Sequence, residues 1–162
     1  MTRAPQVAVS GGGTDAGEAA LEAAEEVGRR LAEAGVTVVC GGLGGVMEAA
    51  ARGASGAGGI VIGIVPGDDP GTANEHCTYV VATGIGHGRN LAVVASGDVV
   101  IAIAGEWGTL SEIAFARNIG RPVITLGSWE VKGAGAMEQA PGIEPAEDAA
   151  AAVESALRHL DR

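Results

Sequence analysis

The residues of this chain best suited to chemistry stand where apolar runs end. The stretch "DVVIAIAGEWGTLSEIAFA" leads an apolar run into Gly105, Glu106, Trp107, Gly108 and Thr109, then into a helical pattern that holds Glu112. Upstream, "GHGRN" sets Arg89 and Asn90 at the opening of another helix. An arginine there can grip a phosphate or carboxylate in a two-pronged fork, or pair at the surface with one of the many acids. "TLSE" also has two readings. As a capping box, Thr109 caps the helix and Glu112 reaches back to its backbone. Alternatively, Glu112 faces a ligand, accepting ribose hydroxyls or assisting a water. A glutamate at a helix start is stabilised as the anion, which suits hydrogen-bond acceptance or general-base work better than proton donation.

Two further glycine loops follow apolar runs. "SGGGTDAG" brings Ser10, Gly11 and Gly12, and "GGLGGVM" brings Gly41, Gly42, Gly44 and Gly45; Gly105, Gly108 and Thr109 belong to the third loop. Each enters a helix. Glycine lets backbone approach an anion, and a helix start supplies unpaired N–H groups with a partial positive charge. A protein of net charge −10 with nine arginines and one lysine, Lys132, would bind phosphate in this way, through backbone. A tight turn alone would also explain any one loop. Gly11, Gly13 and Ala16 fit the loose dinucleotide fingerprint, but Cys40 and Gly41 stand where the ribose-binding acid belongs, so a classical NAD site is rejected. The chain lacks the P-loop signature.

Other chemistry-bearing residues carry less. Glu75, His76 and Cys77 adjoin one another, but a metal site needs more ligands at set geometry, so no metal is expected. Cys40 ends an apolar run and reads as a small core residue, not a disulfide partner. His87 reads as a solvated loop histidine near Arg89 or as a ligand contact. Trp107 stacks on a ring, braces its loop or meets a second subunit; Trp129 reads as packing. The acidic balance disfavours nucleic acid. No apolar run approaches a membrane span and no export signal is evident, which points to the cytoplasm.

Positioning these residues falls to alternating strands and helices. Hydrophobic residues make up 47% of the 162, enough for a core built from Val, Ile, Leu and Ala because aromatics are only 2%. Strands are expected at 6–10, 37–40, 60–64, 79–82, 99–104 and 122–126, mostly apolar throughout, as in sheets covered on both faces. A helix over 16–35 buries Leu21, Ala24, Val27 and Leu31, with Asp15 and Glu18 as its capping pair and Gly35 as its stop. Others are expected at 45–54, 88–95 and 110–119, and a last one opens at Pro145. Residues 127–143 are glycine-rich and give no clear pattern. The expected fold is a single α/β domain over 1–162: a three-layer α/β/α Rossmann-like fold around a mostly parallel sheet of six or seven strands, with its ligand beyond the strand ends where strand order reverses.

The motifs also carry a family resemblance. "GEWGTLSE" resembles the PGG-x-GT-x-x-E motif of the Lonely Guy (LOG) proteins, long labelled lysine decarboxylases, within the wider Rossmann-like SLOG superfamily. "GGLGGVMEAAARGA" is similar to that family's glycine-rich segment, and "GRNLAVVASGDVVIAIAG" to the stretch with its active-site arginine. The run from "RN" to "GRPVI" is closer to the molybdenum-cofactor carrier-like branch. The resemblance covers about residues 6–126. It implies a homodimer or higher homo-oligomer and a nucleotide, phosphate or molybdopterin-type ligand, with no required cofactor. The carrier-like branch would hold a phosphate-bearing pterin uncleaved. The LOG reaction instead hydrolyses the N-glycosidic bond of a nucleoside 5′-monophosphate; on that reading Arg89 and Glu112 match the catalytic pair, and Gly105, Gly108 and Thr109 the phosphate loop. The chain departs from the motif at Ala104, in place of Pro, and at Glu106, in place of the second Gly.

Overall fold

The computed structural model describes residues 3–135 and 138–161. Seven strands, β1 (Gln6–Gly11), β2 (Thr37–Cys40), β3 (Val61–Val65), β4 (Tyr79–Ala82), β5 (Val99–Ile103), β6 (Val123–Leu126) and β7 (Ile143–Ala146), form one sheet in the order β4-β3-β2-β1-β5-β6-β7. Every pairing is parallel. Five helices connect them: α1 (Glu18–Glu33), α2 (Val46–Gly56), α3 (Arg89–Ser96), α4 (Trp107–Asn118) and α5 (Ala149–Leu160).

The pleat explains the continuous apolar runs. Val7, Val9, Val38, Val99, Ile101 and Ile103 point toward α1, α2 and α5, whereas Ala8, Val39, Val100, Ala102 and Val123 point toward α3 and α4. Successive side chains leave opposite faces of a strand, so a sheet covered on both sides needs apolar residues at every position. Fully burying each Val or Ile contributes about 2 kcal/mol. Glycines inside α1 and α2 let those helices touch backbone to backbone: a Cβ on Gly28 would lie 2.0 Å from the Ala50 carbonyl oxygen, and one on Gly53 1.9 Å from that of Glu25.

Three local expectations are corrected. The last helix does not open at Pro145. Ile143–Ala146 forms the seventh strand, at the sheet edge, where a proline's missing N–H costs nothing, and Asp148 caps α5 by accepting from the Ala151 N–H. Helix α1 is entered through Gly17 without a side-chain cap, so Asp15 and Glu18 are no capping pair; Gly35 does take the left-handed conformation just past its end. Helix α4 begins at Trp107, three residues earlier than its apolar spacing suggests.

Candidate functional site

Strand order reverses at β1, whose neighbours β2 and β5 lead away in opposite directions. Such a switch point opens a crevice beyond the strand ends, because the following connections diverge to opposite faces of the sheet. The three glycine loops meet there. The Val46 N–H donates to the Gly12 carbonyl at 3.0 Å, tying the first loop to the second. A Cβ on Gly12 would lie 3.7 Å from the Gly105 Cα, so the first and third loops also touch. Gly45 has φ of +69°, and a Cβ there would strike the Gly13 carbonyl oxygen at 2.1 Å. Only glycine fits that crossing.

The resulting cleft has a volume of about 260 Å³, close to the lower end of small-molecule sites, about 300–1,000 Å³. Ser10, Gly11, Gly12, Gly41, Arg89, Asn90, Gly108, Thr109 and Glu112 line it, together with Val9, Gly13, Met47, His87 and Glu106. Gly42, Gly44, Gly45 and Gly105 do not line it; they shape the loops instead. Gly105, at φ +99°, makes room for Thr109, whose hydroxyl a Cβ would meet at 2.2 Å. Gly13 and Met47 join the lining because the loops fold over one another, which no local pattern reveals.

Arg89 is no surface residue. It is buried, and its Nε has no hydrogen-bond partner. Burial pulls its pKa down, while the negative charge of Glu112 opposes that shift. Gly41 admits the guanidinium: a Cβ there would lie 2.2 Å from Arg89 Nη1. An unpartnered buried N–H costs about 1–3 kcal/mol, more on a charged group, so this arginine is primed for an acceptor.

Glu112 is buried as well, and it is not half of a capping box. Glu106 occupies the N-cap position of α4, which places Thr109 and Glu112 inside the helix. The Glu112 carboxylate accepts a hydrogen bond from the Ser10 hydroxyl across the β1–β5 switch point. Burial pushes its pKa up to about 7; the Ser10 hydrogen bond and the nearby Arg89 charge restrain the rise. The expectation of a permanently ionised Glu112 is therefore corrected: desolvation outweighs the helix dipole, and the group gains or loses its proton near neutrality.

The third loop is braced from behind. Ala104 has φ of +48°, which a proline could not adopt, so the departure from the LOG motif there is conformational. Its carbonyl accepts from the Ser128 hydroxyl, and Trp129 Nε1 donates to the Glu106 carbonyl at 3.1 Å. Trp107 is exposed and packs on Trp129 with ring centroids 5.2 Å apart. A larger groove of about 680 Å³ opens between the N-terminal turns of α1 and α5, but its ionisable lining is acidic (Glu22, Glu26, Glu147, Asp148) and would repel phosphate. Among the described residues, no three His, Cys, Asp or Glu side chains converge as a metal site would require, and no helix is long and apolar enough to cross a membrane.

Comparison with known proteins agrees with this architecture. The molybdenum cofactor binding protein of Rippkaea orientalis superposes with a TM-score of 0.89 at 31% identity, covering 100% of both chains. The molybdenum cofactor carrier protein of Chlamydomonas reinhardtii does so with 0.86 at 30% identity, covering 99% of this chain and 100% of that one. A probable cytokinin riboside 5′-monophosphate phosphoribohydrolase of Oryza sativa is 35% identical over 94 residues, 56% of this chain and 38% of that protein. The family model described as SLOG cluster4 matches residues 4–153, and the chain therefore belongs to the SLOG cluster4 family.

Proposed function

We propose that the chain binds a phosphate-bearing nucleotide or pterin-type ligand in the cleft at the β1–β5 switch point and serves as its carrier. The observation that carries this reading is the buried guanidinium of Arg89, with an unsatisfied Nε, set beside three glycine loops. The uncapped start of α4 offers the N–H groups of Gly108 and Thr109 to the same space. An anionic oxygen there would satisfy the arginine and complement the helix ends. The likeness over full length to two proteins that handle the molybdenum cofactor favours a phosphorylated pterin as the cargo. Leu91 on α3, Phe115 on α4 and Ile119 just past the end of α4 are large, apolar and exposed, which supports a homodimer formed through these helices.

A second reading is favoured by Glu112. A carboxyl that titrates near 7 beside Ser10 and Arg89 can exchange a proton with a departing base or an attacking water, and its ionised form would favour positive charge on a ribose. On that reading the protein is a nucleoside 5′-monophosphate phosphoribohydrolase.

One experiment separates the two. Titration calorimetry with AMP, GMP and a phosphorylated pterin is paired with chromatography for free base. Binding without release, weakened about 30- to 100-fold in Arg89→Ala, is the carrier result. Base release abolished by Glu112→Gln is the hydrolase result. Absence of binding by all three ligands overturns both.

A further inference from the structure

The only two cysteines of the chain lie 37 positions apart in sequence and come together beneath the second glycine loop. Cys40 ends β2 and is fully buried. Its register partner on β3 is Gly63, and the sulfur of Cys77 occupies the space that a side chain at Gly63 would fill: a Cβ there would lie 2.6 Å from Cys77 Sγ. Residues paired across parallel strands share a face, so the two sulfurs approach over the same patch of sheet. Cys77 is only half-buried, and it stands in the segment that holds the second loop. Its thiol donates to Asn74 Oδ1 at 3.6 Å, the Asn74 N–H donates to the Gly42 carbonyl at 2.8 Å, and Asn74 Nδ2 donates to the Leu43 carbonyl at 3.0 Å.

We propose that Cys40 and Cys77 are a reversible oxidation site, forming an intramolecular disulfide by exchange with a small-molecule disulfide such as oxidised glutathione. Cys77 gives its proton to water, and its thiolate attacks one sulfur of the oxidant and releases one glutathione thiolate, leaving a mixed disulfide. Cys40 then gives its proton to that thiolate, and its sulfur displaces the second glutathione as a thiolate, which takes up the proton that Cys77 released. Two protein thiols and one small disulfide thus become one protein disulfide and two small thiols. The order follows from access, because a small disulfide reaches Cys77 and not Cys40. The ionisation of the pair supports the same order: the Cys40 hydrogen bond draws the Cys77 thiol below its ordinary range, whereas its interaction with Cys77 and its burial hold Cys40 well above it. The new bond ties the Asn74 segment covalently to the end of β2, next to Gly41. This chemistry is independent of what the cleft binds.

The test treats the purified protein with oxidised glutathione and counts thiols under denaturing conditions, with mass spectrometry and non-reducing electrophoresis. The expected result is loss of both thiols together in a monomeric band, with a mass lower by two hydrogens, restored by dithiothreitol. Closing the loop should raise Tm by roughly 5–10 °C. Cys40→Ser should stop at a mixed disulfide on Cys77, and Cys77→Ser should leave Cys40 unreactive while folded. Cross-linked dimers, a stable mixed disulfide in the wild type, thiols that react only after unfolding, or an unchanged Tm would overturn the proposal.

Discussion

The pH response of Glu112 can be worked through as a quantitative prediction. Its pKa rises from the ordinary 4.5 to about 7 because burial removes the water that would solvate the anion. An acid with a raised folded pKa makes the native state bind the extra proton between those values. Stability from this group is therefore fully present below about pH 4.5 and is lost as pH rises through about 7. At about 1.4 kcal/mol per pH unit, the full loss is about 3 kcal/mol. Glu112→Gln keeps the shape and the Ser10 contact but cannot ionise. Urea unfolding of both proteins from about pH 5 to about pH 8 measures the effect, because other titrating groups cancel in the difference. The variant should gain about 2.5 kcal/mol on the wild type across that range, because a part of the full loss falls below about pH 5, a midpoint shift of roughly 1 M urea at an m-value of about 2 kcal/mol/M. Parallel pH profiles for the two proteins would refute a desolvated Glu112, and with it the second reading of the cleft.

Other predictions follow from the close contacts. Gly41→Ala places a Cβ on the Arg89 guanidinium and should cost nearly as much phosphate-ligand affinity as Arg89→Ala, measured by calorimetry, with the arginine itself intact. Gly28→Ala forces α1 away from α2 and should destabilise by about 1–3 kcal/mol in denaturant unfolding, although alanine is the better helix former. Leu91→Glu combined with Phe115→Glu should turn a dimer into a monomer in sedimentation equilibrium without loss of helical circular dichroism.

Much of the fold was legible because a sheet covered on both faces demands uninterrupted apolar runs, and five strands announce themselves that way; the edge strand β4 carries such a run too, although Tyr79 and Val81 are exposed. The seventh, "IEPA", did not. Its edge position leaves Glu144 partly exposed and Pro145 exposed, so it lacks both the apolar run and the alternation that mark a strand. The convergence of Ser10, Gly11, Gly12, Gly41, Arg89, Asn90, Gly108, Thr109 and Glu112 on one cleft was also readable, since helix starts after parallel strands lie at one sheet edge by construction. "TLSE" left the role of Glu112 open because its local spacing suits a capping box and a ligand-facing acid equally well. The partner that decides the matter, Ser10, is 102 positions away.

The amino-acid sequence by itself determined the alternation of strand and helix, the parallel sheet and the side of the sheet to which the glycine loops belong. These follow from periodicity and from the absence of side chains. Only the tertiary structure decided that Arg89 is buried with a free Nε, that Glu112 titrates near neutrality and that Cys40 meets Cys77. Desolvation and long-range contact depend on what the rest of the chain places around a group, and that is settled only once the layers have packed.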